Sequence, residues 1–336
     1  MTTSRNCDEL KQRLDSLADE MSERKPDFST EARKKAQAYN TAFWDAMQTG
    51  MPQNVLKEGS DGTGGYLVPD TFEQTIISGL TEGNLLRRLG TVVETNRAMK
   101  IPTAIRGSEA TWIPENLSIP VGDVSYGEIV LDAYKLAHKV LVSDEMLEDV
   151  EFNLERYIRQ MSVEALADAE EEAFFCGDGN GKPLGIIYQA EIGAVSTQRD
   201  SISMDDMIEL LHSVKMPYRQ NGTWIVSADA YVALRKIRQY NGKLLWTANI
   251  AEGEPETLFG YPILVSNHLD FVAPSSKSVL FGDFSYFWIG DRGKRVIKRL
   301  AERYADQGQV AYITSERVDA KLVLPEAVKA LVIKAE

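Results

Sequence analysis

The sequence predicts an α+β fold, and three observations carry that reading. Ser143 to Asp178 reads as one acidic, amphipathic helix, Ile101 to Ala133 as an extended, proline-broken arm, and the region from Ile186 onward as alternating strand and helix periods. The helical segment holds 12 Asp and Glu against two Arg, a net of −10 in a chain whose net charge is −13. Counted from Leu154, its apolar residues fall at Ile158, Met161, Ala165, Ala169 and Ala173, steps of three or four that draw one stripe down a helix. Ser143 suits the N-cap, and Asp144 with Glu145 suit the positive end. About 33 residues at about 1.5 Å each predict a rod of roughly 50 Å, a structural spine.

Ahead of the spine, Cys7 to Met47 reads as two helices divided by Pro26 and Asp27. Leu10, Leu14, Leu17 and Met21 form a seam of coiled-coil spacing on the first, and Ala32, Ala36, Tyr39, Phe43 and Met47 continue it on the second. Gly50 to Gly65 holds five Gly and one Pro, the composition of an exposed connection. Asp70 and Glu73 are spaced as a capping pair for a helix carrying Phe72, Ile76 and Leu80, and a strand follows through Val92, Val93 and Met99. The arm contains Pro102, Pro114 and Pro120 with Trp112 among polar neighbours. It closes in the alternation Val124, Tyr126, Glu128, Val130, which predicts two strands projecting with an aromatic tip that needs cover.

Beyond the spine, Ser203 with Asp206 opens a helix bearing Met207, Leu210, Leu211 and Val214. Trp224 to Val226 is a short strand, and Ser227 caps a helix bearing Tyr231, Leu234 and Ile237. Gly260 to Val265 and Ser278 to Phe281 read as strands. Asp291 to Arg303 reads as a basic strand with Arg292, Lys294, Arg295, Lys298, Arg299 and Arg303, a counterpart to the acidic helix.

A length of 336 residues with 43% hydrophobic content suffices for one large or two ordinary domains. No run reaches the length of a membrane span, and the N-terminal residues, with Asp8 and Glu9, lack the apolar core of a signal peptide, so cytoplasmic synthesis is expected. Two cysteines, Cys7 and Cys176, exclude a disulfide framework. The negative charge argues against a direct grip on nucleic acid, although an acidic surface suits a protein that encloses nucleic acid without adhering to it.

No catalytic, cofactor or metal residues are assigned. His138, His212 and His268 are isolated, with no second ligand at metal spacing, and no GxSxG elbow exists. Gly177 to Lys182, GDGNGK, looks like a phosphate loop but is one residue short between its glycines, has Pro183 in place of the hydroxyl, and follows a helix instead of preceding one. A glycine C-cap with a turn is the expected role. Carboxylates four apart, including Glu164, Asp168 and Glu172, are expected to be solvated or to meet a basic partner such as Arg292 to Arg303, within the subunit or from a neighbour.

Six segments taken in order resemble the major capsid proteins of tailed bacteriophages, of the Hong Kong 97 type. They are GGYLVPD at Gly64 to Asp70, YGEIVLDAYKLAHKVLVSDEMLED at Tyr126 to Asp149, FFCGDGNGKPLGI at Phe174 to Ile186, LFGYPI at Leu258 to Ile263, FGDFSYFWIGDRG at Phe281 to Gly293, and ERVDAKLVLPEAVKAL at Glu316 to Leu331. The resemblance implies a helical segment at 1–49, a linker and N-terminal arm at 50–84, and an extended β-hairpin loop at 101–133 lying over a neighbouring subunit. It further implies a peripheral domain from 85–100, 134–185 and 293–320, and an axial domain from 186–292 and 321–336. It implies a shell of hexamers and pentamers enclosing double-stranded DNA without sequence-specific binding, formed in the bacterial host cytoplasm. Portal, scaffolding or protease, and decoration proteins of the same phage would be partners, and a membrane would not. Candidate inter-subunit contacts are Trp112, Ile113 and Pro114 on the loop, Arg292, Arg295 and Arg299 on the basic strand, and Glu164 and Asp168 on the spine. Some relatives fasten their shells through a loop lysine; no Lys lies between Lys100 and Lys135, so noncovalent shells are expected. The alternatives are an encapsulin-like nanocompartment of the same fold and a cytosolic enzyme using the carboxylates or the GDGNGK turn.

Overall fold

A computed structural model describes residues 28–51, 60–61, 65–106, 125–149, 152–238, 246 and 256–335. The expected first helix, around Leu10 to Met21, lies outside the described residues. The first half of the chain forms helix α1 (Phe28–Thr49), strands β1 (Ser60–Asp61) and β2 (Gly65–Leu67), and helices α2 (Asp70–Gly83) and α3 (Leu85–Leu89). Strands β3 (Thr91–Thr95), β4 (Met99–Arg106), β5 (Ser125–Leu131) and β6 (Tyr134–Ser143) follow, then helices α4 (Asp144–Glu148) and α5 (Leu154–Cys176). Next come α6 (Ile186–Gln189), β7 (Glu191–Val195), α7 (Met204–Ser213), α8 (Met216–Arg219), β8 (Thr223–Ser227) and α9 (Ala228–Lys236). The remaining strands are β9 (Thr257–Leu258), β10 (Tyr261–Ser266), β11 (Val279–Gly282), β12 (Phe287–Arg292), β13 (Val296–Leu300), β14 (Gln309–Leu322) and β15 (Val328–Val332).

The long strand β14 organises a seven-stranded sheet. It pairs antiparallel with β6 over Gln309 to Val318 and, through its two halves, with β13 and then β12, while β3 runs parallel to β12. Helix α5 lies across one face, where the Ser162 and Thr314 hydroxyls meet at 3.0 Å. The core beneath it joins Phe72, Ile76 and Leu80 of α2 to Ile158, Leu166, Val140, Val310 and Tyr312. Helix α1 enters the same core through Phe43, Trp44 and Met47, and the Tyr312 hydroxyl donates to the Met47 carbonyl at 2.8 Å. Only its last turns do so, because Ala36 on the expected seam is exposed.

The spine differs from expectation in two ways. It is 23 residues, about 34 Å at 1.5 Å per residue, because the expected single helix is split. Ser143 caps only the short α4, which ends at Asp149 in extended conformation, and Asn153 caps the main helix afresh by accepting from the Arg156 amide. The buried face is also rotated from the alanine stripe. Leu154, Ile158, Ser162, Leu166, Glu170 and Phe174 turn inward, while Ala165, Ala169 and Ala173 are only half-buried. Steps of four hid this face because a serine and a glutamate sit in it.

A six-stranded sheet, ordered β7-β15-β11-β8-β10-β9, forms the second lobe. Its core is built on Trp224, which stacks on Phe281 at 4.2 Å and donates its indole N–H to the Leu258 carbonyl at 3.1 Å. Ser203 and Asp206 form the expected capping box on α7, and Ser227 caps α9. Strand β12 falls within the 186–292 segment expected in this lobe, yet it belongs to the seven-stranded sheet. The chain crosses between lobes at the Gly177 turn. Gly177 itself is extended (φ −60°, ψ 140°), not left-handed; glycine is needed because a Cβ there would stand 2.0 Å from the Pro183 carbonyl oxygen.

Candidate assembly surfaces

The arm is a two-stranded ribbon, with Met99 opposite Leu131 at its root and Arg106 opposite Ser125 at its far end. The root is fixed by buried Leu131 and by the Asp132 amide, which donates to Asp319 at 2.8 Å. Trp112, Ile113 and Pro114 belong to the segment joining the strands and lie outside the described residues.

The basic strand divides by environment. Arg295 is a correction to the expected neighbour contact: it is buried inside the subunit, with its Nε 2.7 Å from Glu316 and Nη2 3.6 Å from Asp291. Asp291 and Glu170 also receive the guanidinium of Arg87, at 2.8 and 2.6 Å, so two arginines and three carboxylates share one buried network. Three carboxylates crowd two guanidiniums there, and burial with this excess raises the Glu316 carboxyl. Burial foremost, and the Glu170 charge next, push its carboxyl up to about 8 against the pull of Arg295 and Arg87. Arg299 is half-buried beside Gly50 and Tyr312. Arg292 reaches Asp132 through Nη1 at 3.3 Å, while its buried Nε and Nη2 have no hydrogen-bond partner.

On the spine, Glu164 is exposed and accepts from Gln160 at 3.3 Å, and Asp168 is exposed and stands 3.2 Å from the His268 ring on the second lobe. Neither meets the basic strand within the subunit, so the expected internal match does not form. Its place is taken by Arg87, which no motif marked. The one available signal was two arginines embedded among leucines in LLRRL. Glu171 is drawn into the same junction, its carboxyl raised first by burial and eased by His268.

Sequence reasoning also missed the apolar exposure of the second lobe. Strand β7 is the edge of the six-stranded sheet, and Ile192 and Val195 on it are 59% and 52% exposed. Such an edge offers unpaired backbone to another chain. The Cys176 thiol donates to the His268 carbonyl, and burial pushes its pKa up to about 11, which suits packing and not nucleophilic chemistry. Among the described residues no group of three or more His, Cys, Asp or Glu is arranged to hold a metal, and no helix is long and apolar enough to cross a membrane.

Comparison with known proteins places this geometry. The model of the phage capsid family matches residues 64–333. The chain is 25% identical over 256 residues to the major capsid protein of Klebsiella oxytoca phage phiKO2, covering 69% of this chain and 57% of that protein. It is 26% identical over 229 residues to the major capsid protein of Escherichia phage T5, covering 63% and 49%. It thus spans about half the length of these curated relatives. Among solved structures it resembles the capsid of the native GTA particle at TM-score 0.67 and 22% identity, over 85% of this chain and 95% of that one. It also resembles a chain from Mycobacterium phage Cain at TM-score 0.59 and 16% identity, over 76% and 91%. At these identities the likeness establishes the shared Hong Kong 97-type capsid fold.

Proposed function

Because the chain belongs to the phage capsid family, we propose that it is the major capsid protein of a tailed double-stranded DNA bacteriophage. The family match over residues 64–333 carries the reading. In it the subunit is structural and not an enzyme, and copies join as hexamers and pentamers into the icosahedral shell that encloses the genome. The ribbon and its connecting segment lie over a neighbour, with Trp112, Ile113 and Pro114 as apolar anchors. The seven-stranded sheet with its spine forms the peripheral domain, and the six-stranded lobe the axial domain, whose exposed β7 edge suits packing around a symmetry axis. Portal, scaffolding or protease, and decoration proteins of the same phage are its partners, and the assembled shell resides in the virion. The relatives named as major capsid proteins favour this over an encapsulin-like compartment.

Expression of the chain followed by size-exclusion chromatography and electron microscopy tests the reading. Closed megadalton particles, or hexamers and pentamers, are expected. A monodisperse monomer at high concentration would refute self-assembly.

A further inference from the structure

We propose that a basic cleft on the seven-stranded sheet, lined by Lys135, Arg292, Lys294, Lys298, Ser315 and Arg317, binds a phosphate group carried by inorganic phosphate or a small phosphate ester. The inference stands apart from the self-assembly reading, since it concerns a site within one subunit. The cleft, about 490 Å3, lies where the start of β6, the β12–β13 turn and β14 meet, and among the described residues Glu316 is its one acidic lining group.

The backbone explains why so many cations meet there. Strands β12 and β13 pair in turn along β14, with Asp291 opposite Val318 and Val296 opposite Ser315, so residues 292–295 bulge against 316 and 317. Gly293 turns the bulge at φ +67°, a conformation that suits glycine. Arg295 leaves the bulge to meet Glu316 at 2.7 Å, whereas Arg292 and Lys294 line the cleft. Arg317 and Lys135, directly opposite on β14 and β6 and both exposed, extend the cationic row. Like charges in that cross-strand position repel, and a shared anion removes the penalty.

Arg292 marks where the ligand sits. Its Nη1 reaches Asp132 at 3.3 Å, but its buried Nε and Nη2 donors have no acceptor. Those two N–H groups form the side of a guanidinium that grips two oxygens of one anion at once. A buried donor left without an acceptor carries the full cost of its desolvation, so the cleft gains by admitting one. Glu316 does not supply it, being committed to Arg295, and Lys294 is steadied from the side by Asp70 at 2.8 Å. A phosphate can give the Arg292 fork two oxygens and keep others for Lys135 and Arg317, whereas a carboxylate has only two. An extended nucleic-acid strand fits less well. The unmet donors lie below the surface, Asp132 and Asp70 stand exposed beside Arg292 and Lys294, and the chain carries a net charge of −13.

Equilibrium dialysis of the full-length chain against radiolabelled inorganic phosphate, with sodium chloride holding the ionic strength constant, tests the site. A single phosphate per chain should bind saturably. Lys135→Gln with Arg317→Gln, on exposed side chains, should leave the circular dichroism spectrum unchanged and abolish that binding. Arg292→Lys keeps the charge but removes the fork, and should weaken binding roughly tenfold or more. The Tm of the unaltered chain should rise with added phosphate, and that of the double variant should not. Absence of saturable binding to the unaltered chain, or binding undiminished in either variant, overturns the proposal. A duplex oligonucleotide that displaces the phosphate through the same residues overturns the small-ligand assignment in favour of nucleic acid.

Discussion

Replacing Arg87 by Met isolates what the buried network contributes. The Arg87 guanidinium donates to Glu170 at 2.6 Å through both Nε and Nη2, and to Asp291 at 3.0 and 2.8 Å through Nη1 and Nη2. The side chains of Arg87, Glu170 and Asp291 are 1%, 0% and 14% exposed, so the variant leaves two desolvated carboxylates with one remaining cation, Arg295. Breaking a buried pair from one side costs about 3–5 kcal/mol, whereas an exposed pair is worth about 0–1 kcal/mol. The network also ties α3, α5, β12 and β14 together, so the loss should be felt across the whole seven-stranded sheet. Urea unfolding of unassembled subunits, followed by circular dichroism, measures it. The double variant Arg87→Met with Glu170→Met should recover most of the loss, since apolar side chains then fill the site and Asp291 keeps Arg295. A cost below about 1 kcal/mol for the single variant would refute the reasoning.

The same network sets a pH dependence. Glu316 is raised from the ordinary 4.5 to about 8 by burial and then by Glu170. The folded state therefore holds this proton more tightly than the unfolded chain does. Its stabilisation is complete below the unfolded value, declines as pH rises, and is gone once the folded group ionises above about 8. His138 acts in the opposite direction near its own range, because burial lowers its pKa and favours the folded state as pH rises through the unfolded value. The difference between the unaltered chain and Glu316→Gln isolates the carboxyl. The unaltered chain should lose stability relative to the variant on going from about pH 6 to about pH 9, and a difference that stays constant would exclude the protonated carboxyl.

Five further outcomes follow from particular residues. Gly177→Ala places a methyl 2.0 Å from the Pro183 carbonyl oxygen and should cost about 2 kcal/mol or more, read as a lowered Tm. Phe43→Ala empties a fully buried ring position and should cost about 3–5 kcal/mol in urea unfolding. In a Cys7→Ser background, Cys176 should react with a thiol reagent at mildly alkaline pH only slowly until urea is added, because its pKa is pushed up to about 11. Trp112→Asp should leave a folded subunit that forms no shells by electron microscopy, and unaltered shells should run as monomers on a denaturing gel, where a ladder of linked subunits would contradict noncovalent closure.

Local signals were legible where one short stretch decides the outcome. The Ser203–Asp206 capping box and the Phe72, Ile76, Leu80 face were readable because cap and period lie within a few residues. The break at Asp149 was not, since the acidic composition runs unchanged through α4 and α5 while the cap at Asn153 restarts the helix. The partner of Glu170 was hidden for a different reason. Arg87 lies 83 positions away and becomes its neighbour only when α3 packs against α5. The loop anchors at Trp112 to Pro114 remain a reading of the sequence, being outside the described residues.

The sequence left the acidic helix two destinations, a charge match with the basic strand or an unmatched surface, and the sheet between them decides. Thr314 meets α5, so by strand alternation Ser315 and Arg317 point to the other face of β14. Lys135, opposite Arg317, shares that face. Arg295, which remains on the helix side, is consumed by Glu316 and Asp291. The subunit is therefore polarised across its sheet, with Glu164, Asp168 and Glu172 exposed beyond α5 and exposed Lys135 and Arg317 on the opposite face. Under the self-assembly proposed above, this face can be tested directly: charge reversal at Glu164 with Asp168 should lower the particle yield in the electron microscope where the spine carboxylates meet a neighbour, and normal particles would remove them from the contact.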